Sequence, residues 1–117
     1  MKFGTLVLAA LLAGGCLGGY NRPMQLIYDV GPKYPPAAKA DKIEGQVVLK
    51  YDISVDGVVH NVAVVQADPP GVFDQAAKDA VAQWRYKAPI LDGVSQSVTG
   101  VVSTLKFVLG AGAYTDY

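Results

Sequence analysis

Phe73-Asp74-Gln75-Ala76-Ala77-Lys78-Asp79-Ala80-Val81-Ala82-Gln83-Trp84-Arg85-Tyr86 decides how the rest of this chain is read. Its apolar residues fall at Phe73, Ala76, Ala77, Ala80, Val81 and Trp84, spacings of three and four that set one stripe along an α-helix. Lys78, Asp79 and Gln83 lie off the stripe, on the side left to water. Pro69-Pro70-Gly71 breaks the chain before the helix, and Pro89 closes the segment after it. The stripe is narrow and mostly alanine, with one large aromatic at each end. Such a stripe suits close packing on a flat sheet, with Phe73 and Trp84 as terminal anchors. The flanking sequence must therefore supply a sheet.

It does so on both sides. From Gly45 the period becomes two: Val47, Leu49, Tyr51, Ile53 and Val55 alternate with Gln46, Val48, Lys50, Asp52 and Ser54, as in a half-buried strand. Asp56-Gly57 predicts a type I′ hairpin turn, and Val58 to Ala67 reads as the returning strand. After the helix, Val98 to Val108 is a third strand. The order is strand, strand, helix, strand. A right-handed crossover passing over an intervening strand places strand one in the centre. The expectation is an α+β fold: a small ββαβ domain whose three-stranded antiparallel sheet has the order 2-1-3, with one helix on one face. Strand three is then an edge with unpaired backbone groups. Gly31 to Pro36 is an extended lead-in, Ala37 to Lys42 a short helical turn, and Ala88 to Gln96 a loop containing Leu91-Asp92-Gly93. The domain runs from 31 to 109, and residues 110–117 read as a frayed tail.

Composition excludes several functions. The 117 residues carry ten basic and ten acidic side chains, so there is no nucleic-acid footprint and no polybasic membrane patch. A single cysteine rules out an internal disulfide framework and a thiolate metal cluster, and a single histidine argues against a histidine-based site. His60 reads as a solvent-exposed residue of the second strand. Asp52 on a strand's polar face and Asp56 in a turn are ordinary placements rather than an acid pair. There is no glycine-rich phosphate loop and no nucleophile–base set. The reading is therefore a non-enzyme with no catalytic residues, no metal and no cofactor.

Residues 1–16 read as a signal peptide. Met1-Lys2-Phe3 is basic, Thr5 to Ala13 is a short apolar run, and Ala13-Gly14-Gly15 are small. The ending Leu12-Ala13-Gly14-Gly15-Cys16 resembles a bacterial lipobox, which makes Cys16 the lipidation site. Leu17 after it resembles lipoproteins sorted to the outer membrane. The alternative is an inner-membrane anchor over residues 3–19, where the apolar stretch from Phe3 to Leu17 has about 15 residues against the roughly 20 that span a bilayer. Residues 17–30 lack periodicity and read as a short tether. From Cys16 to Tyr34 the extended chain reaches about 60 Å.

Tyr34-Pro35, Ile43-Glu44-Gly45-Gln46-Val47, Asp56-Gly57-Val58, Asn61-Val62, Phe73-Asp74 and Trp84-Arg85-Tyr86 stand in order at a spacing that resembles the C-terminal domain of the TonB family of energy transducers. The resemblance covers Gly31 to Leu109. It implies a periplasmic domain that binds outer-membrane transporters of iron chelates and vitamins, whose N-terminal TonB box adds as a strand beside the domain's last strand. The partner-binding residues so implied are Val98, Thr99, Gly100, Val101, Val102, Ser103 and Thr104, with Tyr34 and Pro35 of the lead-in. Arg85 and Tyr86 join them as residue types enriched at binding hot spots; the other reading is that they finish the helix while Trp84 caps the core. Family members carry a long proline-rich spacer and a membrane helix with serine and histidine that engages a proton-driven motor complex. This chain has a far shorter tether and only Thr5 as a polar residue within its apolar run. Besides strand capture, two further readings follow: a full transducer working with that motor, and a lipoprotein that self-associates into a homodimer through the same edge.

Overall fold

Val47, Leu49, Tyr51 and Ile53 are all fully buried, while the residues between them face the other side of the sheet. The computed structural model describes residues 19–110 and the backbone of residues 112–116. The readings placed on residues 1–18, lipidation of Cys16 included, lie outside the described residues. In chain order the elements are β1 (Gln25–Tyr28), α1 (Pro36–Ala40), β2 (Gly45–Ile53), β3 (Val59–Asp68), α2 (Asp74–Ala82), β4 (Arg85–Lys87), β5 (Ile90–Leu91), β6 (Val94–Ser95), β7 (Val98–Val108) and β8 (Gly112–Asp116).

The main sheet has four strands in the order β3-β2-β7-β8, antiparallel throughout. Its first three strands have the expected order, with β2 central and α2 lying over β3 and β2. The small residues of the helix stripe allow the close approach: Ala77, Ala80 and Val81 are buried against the sheet. At one end Phe73 stacks on Phe107 with ring centroids 4.3 Å apart, and Tyr34 meets both edge-on. At the other end Tyr51 packs edge-on against Trp84 at 6.3 Å. Gly45 makes the first cluster possible, since a Cβ there would lie 2.1 Å from the Asp68 carbonyl oxygen and 2.9 Å from the Phe73 ring. Each fully buried Phe, Leu, Ile or Val contributes about 1.5–3 kcal/mol through burial, which makes these clusters and the inner face of β2 the core of the domain.

Four readings need correction. First, the helix ends at Ala82 instead of running to Tyr86. The Gln83 and Trp84 amides donate to the carbonyls of Ala80 and Val81, tightening the last turn, and Arg85–Lys87 then leaves as strand β4. Second, the stretch taken as tether contains β1, which pairs antiparallel with β4 from Gln25↔Lys87 to Tyr28↔Arg85. Further up, Arg22 and Ile90 exchange backbone hydrogen bonds of 2.8–2.9 Å, and the Trp84 indole donates to the Val30 carbonyl at 3.0 Å. Third, Asp56-Gly57 is not a type I′ turn: only Gly57 of the pair takes positive φ, at 84°. The I′ geometry lies instead at Asp92-Gly93 (φ 51° and 80°), joining β5 to β6 in what read as a loop. Fourth, the tail is not frayed along its backbone: residues 112–116 pair with Val108 to Thr104 as β8, after a turn through Gly110 (φ 88°).

Candidate strand-docking interface

The pairing of β8 divides the outer edge of β7 in two. Residues Thr104–Val108 are covered by β8, whereas Val98–Ser103 pair only with β2 among the described strands. The expected edge is therefore open over Val98–Ser103 and closed from Thr104 onward. Thr99, Gly100 and Val102 are exposed there, and Val98, Val101 and Ser103 are half-buried. Val102, 58 % exposed as a residue, presents an isopropyl group against which an added strand would pack.

The shape of this edge is set by one carboxylate. Both neighbours of β2 slip register around Asp52: β3 between Ala63 and His60, and β7 between Val101 and Val98. The extra residues sit in the left-handed region, Asn61 at φ 54° and Gly100 at φ 72°. Asp52 accepts a hydrogen bond from the Asn61 side-chain amide at 2.9 Å and another from the Gly100 backbone N–H at 3.0 Å. Those two donors, Asn61 first, hold the Asp52 carboxyl below its ordinary range. Asp52 thus clasps a bulge on each side, and the bulge at Gly100 bends the open edge. His60, its partner on β3, is exposed.

Ser103 is tied inward as well. Its hydroxyl and that of Tyr51 lie 2.8 Å apart, and Tyr51 and Tyr86 hydroxyls are 2.7 Å apart. Tyr86 is consequently a buried residue of the core rather than a surface contact. Arg85 remains exposed; its guanidinium donates to the carbonyl of Trp84 at 2.7 Å, just past the C-terminus of α2, where a cation is favoured.

Tyr34 and Pro35 belong to the opposite end of the domain. The Tyr34 ring meets the stacked Phe73 and Phe107 edge-on, and its hydroxyl donates to the Ile43 carbonyl. Burial first, and then the Glu44 carboxylate, push its phenol above the ordinary value. Pro35 precedes α1 and its carbonyl accepts from the Lys39 amide at 3.0 Å. Val98 pairs with Ile53 whereas Phe107 pairs with Gly45, so the open edge and Tyr34 lie towards opposite ends of β2. The strand residues and the lead-in residues read as partner-binding therefore lie towards opposite ends of the sheet, and Tyr86 is buried in the core. The lead-in and α2 enclose a separate groove of about 670 Å³ lined by residues that include Val30, Lys33, Pro36, Val72 and Ala76. Among the described residues no group of three or more His, Cys, Asp or Glu converges as metal ligands do, and no helix is long and apolar enough to cross a membrane.

Sequence reasoning missed the clasp, although its signals were present. An aspartate in mid-strand, an asparagine nine residues on and a glycine within the third strand are the residue types that bulges and their caps use. The chemistry on offer at the open edge is that of the backbone: a row of amide donors and carbonyl acceptors beside small side chains. Such an edge offers an extended chain the unpaired backbone groups that strand pairing uses.

Comparison with known proteins bears on the domain as a whole. The model of the Gram-negative bacterial TonB protein C-terminal family matches residues 30–109. The Protein TonB of Klebsiella pneumoniae is 39% identical over 80 residues, which is 68% of this chain and 30% of that protein. That of Escherichia coli (strain K12) is 45% identical over 56 residues, covering 48% of this chain and 23% of its own length. The solution NMR structure of the Pseudomonas aeruginosa TonB CTD superposes with a TM-score of 0.61 at 26% identity, over 74% of this chain and 87% of that one. The chain spans less than a third of the length of the curated relatives it matches. With a matching family model over most of its length and the same fold in a solved relative, this chain belongs to the TonB C-terminal domain family.

Proposed function

We propose that the chain is a membrane-tethered periplasmic binding module of TonB-dependent transport. It captures an extended N-terminal segment, the TonB box, of an outer-membrane transporter by strand addition to Val98–Ser103. The observation that carries this reading is the open half of β7 in a domain of this family. Strand addition uses backbone hydrogen bonds for affinity and flanking side chains for selectivity. Val102 and Thr99 are the exposed side chains available for selection.

The test is a titration of the full chain, isotope-labelled and held in nanodiscs, with synthetic peptides copied from the N-terminal segments of transporters of the same cell. Amide shifts should concentrate on Val98–Ser103. A second peptide, N-methylated at alternate backbone positions, should bind at least tenfold more weakly. Each lost hydrogen bond contributes about 0.5–1.5 kcal/mol, and 1.4 kcal/mol is about a factor of ten. If the methylated peptide binds as well as its parent, capture does not proceed through the backbone. If no peptide shifts any residue of β7 at high excess, the edge has another partner.

A further inference from the structure

We infer that the domain docks directly on a phospholipid bilayer through the end that carries the β5–β6 hairpin. This inference does not depend on strand capture. Leu91 and Val94 form a cross-strand pair on that hairpin, so their side chains share one face, and they are 58 % and 60 % exposed. The other face turns towards the body of the domain: Ser95 donates its hydroxyl to the Val55 carbonyl at 2.7 Å, and Ile90 is half-buried. A hairpin whose outward face is aliphatic reverses the usual alternation, in which the outward residues are polar. Val55 and Tyr20, 50 % and 62 % exposed, extend the apolar surface. Tyr20 is held there, because its carbonyl accepts from the Gly93 amide at 2.9 Å. A tyrosine with one apolar face and one polar tip is the residue type that settles at a lipid–water boundary.

Where the described chain begins identifies the occupant. Gly19 lies against Asp92 at the hairpin's tip; a Cβ on it would stand 2.7 Å from the Asp92 Cα. The apolar stretch that would hold the chain in a membrane, Phe3 to Leu17 with Cys16 inside it, ends two residues earlier. Fully extended, the chain from Cys16 to Gly19 spans about 10 Å. Either route of attachment, lipid on Cys16 or insertion of residues 3–19, therefore delivers this end of the domain to the bilayer surface. So short a linker gives the patch a high effective concentration of its target, and a contact too weak to form from solution is then populated. Asp56 and Asp92 sit in the two turns beside the patch, so the contact draws on apolar burial rather than on anionic headgroups.

The full chain would be placed in phosphatidylcholine nanodiscs doped with a lipid that carries a nitroxide on its headgroup. Amide signals of Tyr20, Val55, Leu91 and Val94 should fall to less than half the intensity of those of Gly45, Gly71 and Phe107, which lie towards the other end of the sheet. Uniform broadening, strongest broadening around Gly45 and Phe107, or a chain that fails to travel with the discs would each overturn the inference. A double variant, Leu91→Asp with Val94→Asp, should relieve the broadening at Tyr20 and Val55 at least twofold while the shifts of Gly45 and Phe107 stay in place. Unchanged broadening in that variant would mean that proximity comes from the linker alone, and the docking surface would be refuted.

Discussion

Asp52 is the residue whose charge shapes the open edge. Its folded pKa lies below its unfolded value, so its contribution to stability is fully present above the ordinary carboxylate range and is lost as pH falls through the folded pKa. Replacing Asp52 with Asn keeps an acceptor for the Gly100 amide but removes the charge. The expected outcome is a stability–pH curve that is flatter below about pH 4, measured by urea unfolding from pH 7 to pH 2.5. A variant with the parent's acid slope would show that other groups carry it. Gly57 is a second residue whose identity is fixed by what surrounds it. Its φ of 84° is left-handed, and a Cβ would meet the Tyr86 carbonyl oxygen at 1.8 Å, where the Tyr86 amide already donates to the Gly57 carbonyl. Gly57→Ala should cost at least about 1–3 kcal/mol from the backbone conformation alone, read as a lowered denaturation midpoint. Asp56-Gly57 was legible as a turn and not as a contact. The reason for Gly57 lies in β4, which packs onto it from nearly thirty residues away, a distance no local pattern reports.

At the scale of elements, strong periodicity was readable and short pairings were not. β2, β7 and the alanine stripe of α2 alternate over enough residues for the period to declare itself, and the sheet order followed from the handedness of the crossover. β1, β4, β5 and β6 are two to four residues long; what makes each a strand is its partner, not its own sequence. Arg85 out, Tyr86 in and Lys87 out is period two, but three residues next to a helix are absorbed into the helix by any reading based on periodicity. The same limit split the candidate site: the third strand was found, whereas the strand that closes half of it was not. β8 carries the prediction at this scale. Truncation after Leu109 should uncover Thr104–Val108 and lengthen the usable edge. Peptides long enough to reach it should bind more tightly by calorimetry than they bind the full chain. Equal affinity would mean that β8 and the peptide never compete.

For the whole molecule, the two aromatic clusters hold the ends of one sheet. Phe73→Ala would empty the stacked site on Phe107, and the loss should be about 3–5 kcal/mol, a large part of the 5–15 kcal/mol that holds a domain of this kind together. Equilibrium unfolding of the variant measures it, and loss of the signals of Tyr34 along with those of Phe107 would show that the lead-in is held by the same cluster.

The pairing of β1 with β4 has a mechanical consequence. A load applied through the N-terminal end of the chain and resisted at β7 reaches Tyr20 first, then Arg22, then the ladder from Gln25 to Tyr28, and only then the Trp84 indole on Val30. These bonds lie in series and yield one after another, like a zipper opened from its end. Residues 19–30 would then come away before the main sheet is strained; at about 3.3–3.6 Å per residue they are at most about 40 Å long, and the slack released is that length less the span they already cover. In a single-molecule pulling trace this slack should appear as a low-force extension ahead of the main rupture. A single rupture with no earlier extension would show that the strap and the sheet yield together. With such a strap, tension would lengthen the reach of the chain while the β7 edge stays folded.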